Sequence, residues 1–313
     1  MSKLRTLILP FAFITVAGCG PGGDSSPGQP SSGAGGAGAR PIVGVSLLTK
    51  THEFYQDMQK AMEEAAAKAG LDLRVQSGEN DVQRQTSQVD TFLVQKAAAI
   101  VLCPASTEAI SGAIRKANEK KVPVFTADIR GSGGDIVCHV ASDNVQGGRL
   151  IGKYLADAIG GKGEVAIIDF PEVTSVIDRV KGFREAIAAY PGIKEVAAQS
   201  AQGQRDKAQQ VMQTILKGHP DLKGVFGIND DSALGALSAL QSAGKTDVKV
   251  VGFDATTEAR KAIQSGGPLI GDAAQDPKQI GRVVIETVAK HLKGESVPKE
   301  IPIPTFVVDK NSR

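Results

Sequence analysis

Residues 224–254, GVFGINDDSALGALSALQSAGKTDVKVVGFD, read as strand, polar loop, helix, strand and a closing aspartate. Residues 225–228 are a short apolar run. Asn229, Asp230 and Asp231 follow, and Asp231 or Ser232 is placed to cap a helix. Leu234, Leu237, Leu240 and Gln241 keep helical spacing, and Gly244 stops the helix. Residues 248–253 form a second apolar run that ends at Asp254. Two buried parallel strands around one helix make a βαβ unit. That unit puts Asn229 and Asp254 at the carboxyl ends of neighbouring strands, where open α/β sheets take ligands. The pattern also occurs earlier, as an apolar run at 100–103, a helix from about 107 to 119, a run at 122–127 and then Asp128.

Outward from these two units the same alternation continues. Strands are predicted at 42–47, 71–76, 136–140, 164–169 and 193–200. Helices are predicted at 55–69, 82–96, 144–159, 176–190 and 204–217. After 254 come a helix at 256–265, a strand at 269–271, a helix at 279–292 and an extended run at 301–308. Alternating units imply parallel sheets with helices on both faces. Two such series predict an α/β chain of two similar doubly wound parallel-sheet lobes. The first takes residues 41–142 plus 276–302 and the second 143–275 plus 303–313. Three crossings, near 142, 275 and 303, would join them as a three-segment hinge.

The 313 residues are 41% hydrophobic and 22% charged, a globular composition long enough for two ordinary domains. A net charge of +2 forces no basic face, which argues against nucleic-acid binding. The N-terminus reads apart from the fold. Lys3 and Arg5 precede an apolar run at 7–16 that is too short to span a bilayer and fits a signal peptide. Val16, Ala17, Gly18 and Cys19 resemble the bacterial lipobox, so residues 1–19 are expected to direct export and lipidation of Cys19. Gly20 leaves the destination membrane open. Residues 20–40 are Gly, Pro and Ser rich and read as a disordered tether. Cys103 and Cys138 could pair in an exported protein, or simply be two small buried apolar residues.

The groups that follow the strand ends are His52, Phe54 and Tyr55, then Asp128 and Arg130, then Phe170 and Arg179, then Asn229, Phe253, Asp254 and Gln275. If the lobes face each other, these converge on one cleft. Carboxylates, a guanidinium, amides and rings suit sugar hydroxyls and the apolar face of a sugar ring. Each has a plainer reading. The aspartates could be helix caps, Arg179 a solvated helix residue, and one of Phe54 and Tyr55 a core residue. His52 and Glu53 suggest no metal, because no second His or Cys stands at ligand spacing. His139 and His219 read as a strand and a loop residue. No nucleophile elbow, phosphate loop or zinc motif is present, and GSGG at 131–134 reads as a turn. The expectation is a binding protein without cofactor or metal rather than an enzyme.

VASDNVQGGRLIG (140–152), FGINDDSALGALSALQSAGK (226–245), VVGFD (250–254) and AAQDPKQIG (273–281) resemble the substrate-binding proteins of bacterial sugar ABC importers, the ribose-binding group above all. The similarity spans about 41–308. It extends more distantly to the ligand-binding cores of LacI-type repressors, which carry a helix-turn-helix where this chain has the lipobox and tether. The resemblance implies the type I periplasmic binding protein fold and a monomer in the periplasm or cell envelope. It also implies delivery of a monosaccharide to an ABC permease with its ATPase. A sensor serving a chemoreceptor or sensor kinase is the alternative, and an exported sugar-acting enzyme a weaker one. By the family's motifs, Asp128, Arg179, Asn229, Asp254 and Gln275 would bind sugar hydroxyls, and Phe54 or Tyr55 with Phe253 would sandwich the ring. The chain departs from the family at His52-Glu53-Phe54-Tyr55, where Asn-Pro-Phe-Phe is usual. It departs again at Ile129, where Arg usually follows the aspartate and here comes one later as Arg130, and near 203–204, where an aromatic is replaced. Ribose is the default ligand, with specificity expected to turn on His52, Ile129, Arg130 and the 203–205 loop.

Overall fold

The computed structural model describes residues 39–312, so Cys19 and most of the tether lie outside the described residues. In chain order the elements begin β1 (Ile42–Leu47), α1 (Glu53–Ala69), β2 (Asp72–Ser77), α2 (Val82–Val94), β3 (Ala99–Leu102), α3 (Ser111–Glu119), β4 (Val124–Ala127) and β5 (His139–Ser142). There follow α4 (Asn144–Ala158), β6 (Lys162–Asp169), α5 (Thr174–Ile187), β7 (Gly192–Ser200), α6 (Arg205–Gly218), β8 (Leu222–Gly227) and α7 (Asp230–Ser242). The chain ends with β9 (Lys249–Asp254), α8 (Thr257–Ser265), β10 (Leu269–Ala274), α9 (Pro277–Leu292), β11 (Glu300–Ile303) and β12 (Phe306–Asp309).

These strands make two six-stranded sheets, ordered β11-β5-β4-β3-β1-β2 and β12-β10-β9-β8-β6-β7. Every neighbouring pair is parallel except β10 with β12. The central strands β3 and β4 are buried at every position, as expected of strands covered by helices on both faces. Helix α1 shows why local sequence fixes an element. Met58, Met62, Ala65 and Ala66 recur on one buried stripe, and Gly70, at φ 70°, turns the chain out of the helix by donating to Ala66 and Ala67.

The chain leaves the first sheet after Ser142, turns back toward it after Ala274, and leaves it again after Ile303. The single extended run expected at 301–308 is thus two strands, β11 and β12, one edge strand for each sheet. Three local readings change. Asn229, not Asp231 or Ser232, caps α7: its side chain accepts from the Ser232 amide at 2.9 Å. The strand expected at 136–140 lies at His139–Ser142, because Val137 pairs with Val124 only through one isolated backbone bond. The third helix starts at Ser111, after a turn. Cys103 and Cys138 are both buried and both free thiols.

Candidate functional site

The cleft is built at the carboxyl ends of both sheets. The turn after β1 delivers His52 as the cap of α1, where its Nδ1 accepts from the Phe54 amide at 3.2 Å. That bond leaves the ring proton of neutral His52 on Nε2. Nε2 faces Oδ2 of Asp254 at 3.5 Å and Oδ2 of Asp231 at 4.0 Å. One turn on, the Tyr55 hydroxyl donates to Oδ2 of Asp128 at 2.6 Å. Asp128 ends β4 in the left-handed region, at φ 64°, which turns its carboxyl away from the strand direction and into the cleft. Its Oδ1 has no protein partner among the described residues. Burial pushes the Asp128 carboxyl up, opposed by the charge of Arg179 and the Tyr55 hydrogen bond.

On the opposite wall, Arg179 is fixed by helix packing. Helices α4 and α5 cross so closely that a Cβ on Gly148 would stand 2.1 Å from the Arg179 carbonyl oxygen, and one on Gly182 would stand 2.1 Å from that of Val145. Only glycine allows this approach, which explains Gly148 of the 140–152 motif. The guanidinium donates from Nε to Asn144 at 2.9 Å and from NH1 to the Ile228 carbonyl at 2.8 Å, and it lies 3.7 Å from Oδ1 of Asp254. Gln275 donates to Asp254 at 2.6 Å and is itself oriented by the Ser142 hydroxyl at 2.6 Å. Burial pushes the Asp254 carboxyl up to about 7, outweighing the pull of Arg179 and His52. Asn229 donates to the Gly203 carbonyl at 3.2 Å while it caps α7.

Together these groups line a cleft of about 230 Å³, below the range that drug-sized ligands occupy. Phe54 from one side and Phe170 from the other present rings to it. Both rims are bonded across. The Glu53 carboxylate accepts from the Thr257 hydroxyl at 2.7 Å and its amide at 3.1 Å, and the Thr174 amide donates to the Thr107 hydroxyl at 3.1 Å.

Two expected site residues stand elsewhere. Phe253 is fully buried, with the Arg179 guanidinium 4.0 Å above its ring, so it cannot stack on a ligand. It points to the face of β9 covered by α4, while Asp254, at φ 119°, turns the other way into the cleft. Phe170 occupies the aromatic position on that wall instead. Arg130 pairs with Glu300 of the edge strand β11, outside the cleft, and the buried Ile129 lines the site in its place. Asp231, read in the sequence as a candidate helix cap, and Arg205, at the end of the 203–205 loop expected to set specificity, both line the cleft. They pair at 3.1 Å beside His52, and Arg205 also holds Glu258 through two bonds of 2.8 Å.

The family model described as a periplasmic binding protein domain matches residues 43–296. The ribose import binding protein of Salmonella typhimurium is 37% identical over 273 residues, which cover 87% of this chain and 92% of that protein. A solute binding protein from Actinobacillus succinogenes, solved with bound D-allose, is similar at a TM-score of 0.80 and 32% identity, over 87% of this chain and 98% of that one. One from Agrobacterium vitis, bound with α-D-tagatopyranose, is similar at a TM-score of 0.83 and 31% identity, over 87% and 95%.

Proposed function

The chain belongs to the periplasmic binding protein family, and from that premise we propose that it is the monosaccharide-binding component of an ABC sugar importer, acting in the periplasm. The carrying observation is the set of paired hydroxyl partners on opposite walls of one small cleft: Asp128 with Tyr55 on the first, and Arg179, Asn229, Asp254 and Gln275 on the second. Carboxylates and amides of this kind hold vicinal hydroxyls, and the rings of Phe54 and Phe170 cover the apolar face of a sugar.

Ribose is the first candidate, supported by the 37% identical relative named for ribose import. Two departures qualify the fit. His52 puts an imidazole where the family's motif has an amide, and Ile129 removes a cation beside Asp128.

The sugar enters between lobes formed by residues 41–142 with 276–302 and 143–275 with 303–313. The three crossings near 142, 275 and 303 serve as the hinge. Closure removes water from the hydrogen bonds and strengthens them. The sugar drives closure only by its greater affinity for the closed form. That form docks, as a monomer, on a permease with its ATPase. The lipobox-like residues 16–19 support a lipid anchor at Cys19.

A thermal-shift screen over pentoses, hexoses and polyols tests the reading, since a bound sugar raises the melting temperature by mass action. Ribose or a close relative is expected to give the largest shift. A screen in which no monosaccharide shifts the transition overturns it.

A further inference from the structure

Behind the cleft, beneath the loop 254–256, two carboxyls meet. Asp230 opens α7 and Asp272 lies in β10, on either side of Gly252 in β9. Their residues are 1% and 0% exposed. Each holds one amide of the loop. Asp272 Oδ1 accepts from Ala255 at 3.1 Å, and Asp230 Oδ2 accepts from Thr256 at 2.6 Å. The remaining oxygens, Asp230 Oδ1 and Asp272 Oδ2, are buried and find no donor among the described residues. They aim at the same place: a Cβ on Gly252 would stand 3.1 Å from the first and 2.5 Å from the second.

The loop they hold is one that non-glycine residues rarely adopt. Asp254 has φ 119° and Ala255 has φ 58°. Such a conformation persists only where its surroundings enforce it. The two carboxyls supply that enforcement, and Asp254 is the residue whose direction it sets.

We propose that Asp230 and Asp272 share one proton and act as a pair of positioning residues, clamping the Ala255 and Thr256 amides so that Asp254 is aimed into the cleft. A single proton between the two orphan oxygens makes one a donor and the other an acceptor, and removes the repulsion of two buried carboxylates. Burial, then the neighbouring Asp230, hold the Asp272 carboxyl well above the usual carboxylate range. The charged groups around the pair do not neutralise it. Asp254 at the end of β9 adds to the repulsion. Arg179 of α5 and His52 of α1 face Asp254. Arg260 of α8 donates to the Ala255 carbonyl, and Asp231 is taken by Arg205.

The function of the clamp rests on the cleft being the sugar site; the shared proton does not. A carboxyl carbon-13 titration of the sugar-free protein should show one of the two aspartates still protonated at neutral pH. Its raised folded value means that stability is full below the ordinary aspartate range and falls as pH rises through the folded value. Asp272→Asn supplies a permanent donor to Asp230 while keeping an acceptor for Ala255. It should reduce this fall in melting temperature to the part that Asp254 contributes, and bind D-ribose within about threefold of the parent at neutral pH. Asp272→Ala frees the Ala255 amide and should weaken D-ribose binding about tenfold or more. If Asp272→Ala does not fold, Asp272→Asn carries the test by its melting curves. Both aspartates titrating in the ordinary range, or an unchanged alkaline fall in Asp272→Asn, overturns the shared proton. Unchanged ribose affinity in a folded Asp272→Ala overturns the positioning role. A parent protein that melts and titrates as described but ignores D-ribose counts against the ligand reading, not against the pair.

Discussion

The Tyr55 hydroxyl stands 2.6 Å from Oδ2 of Asp128, and both side chains are buried at the floor of the cleft. The tyrosine fixes one oxygen of the aspartate and leaves the other without a protein partner among the described residues. Tyr55→Phe removes the donor and keeps the ring. Leaving a buried carboxylate oxygen unpaired costs about 1–3 kcal/mol. Because that hydrogen bond lowers the Asp128 pKa, its loss should raise the pKa further. Sugar affinity, measured by calorimetry, should fall, and the loss should be larger at acid pH, where the variant's Asp128 takes up its proton first.

Asp254 carries the opposite wall. Its carboxyl is pushed up to about 7 by burial despite Arg179 and His52 nearby. A raised folded value means that its contribution to stability is full below the ordinary aspartate range and is lost as pH rises toward and past about 7. Asp254→Asn cannot titrate. Melting curves of the two proteins without sugar should therefore diverge in the variant's favour between pH 5 and pH 8, while the variant binds sugar more weakly at both. Parallel curves across that window would show that Asp254 is ionised throughout.

How far the sequence could be read depended on what each feature needs. The strand and helix pattern needs only apolar spacing and breakers, and 42–47 in the sequence coincides with β1 as folded. Side-chain direction at a strand end needs the backbone angle of one residue. Asp128 at φ 64° and Asp254 at φ 119° both leave strand geometry, and neither angle is written in an aspartate. Simple alternation from Asp254 also cannot say which face of β9 Phe253 takes, because the covering helix α4 comes from a hundred residues earlier in the chain. Arg130 was misplaced for a similar reason: its partner Glu300 belongs to an edge strand added from the far end of the chain. The cap of α7 was legible in type, but the sequence places it two or three residues late, at Asp231 or Ser232, where the structure has Asn229.

Phe170 and Phe253 separate ligand contact from core packing. Phe170 is half-buried at the cleft wall, whereas Phe253 is fully buried under Arg179 and against Gly147. Phe253→Ala opens a core cavity and should destabilise the sugar-free protein by about 3–5 kcal/mol. Phe170→Ala should leave urea unfolding nearly unchanged and cost about 0.5–1.5 kcal/mol of sugar binding, the range of an aromatic contact. The reverse pattern would return the stacking role to Phe253.

Glu53 ties the rim. Its carboxylate receives both the amide and the hydroxyl of Thr257, the first residue of α8, and so couples α1 to a helix bedded on the other sheet. A carboxylate at a helix N-terminus is favourable, though this one is exposed and screened by salt. Glu53→Ala should weaken sugar binding by about 0.5–1 kcal/mol, mainly through faster release, because the bond crosses from α1 to α8 at the rim. Stopped-flow release rates at low and high salt would show it, and the difference between parent and variant should shrink at high salt.

Arg179→Lys tests whether the site needs a charge or a fork. A lysine would keep a cation near Asp254. It could not at once satisfy the Asn144 side chain, reached now by Nε at 2.9 Å, and the Ile228 carbonyl, reached by NH1 at 2.8 Å. It would also lose the planar contact with the Phe253 ring. The buried acceptor left unpaired should destabilise the protein by about 1–3 kcal/mol. Sugar affinity should fall by at least about tenfold, because Asn144 joins α4 to the guanidinium and the Ile228 carbonyl precedes Asn229. A lysine variant that melts and binds as the parent does would mean that charge alone is required. The close α4–α5 crossing at Gly148 and Gly182 would then serve packing rather than the aim of Arg179.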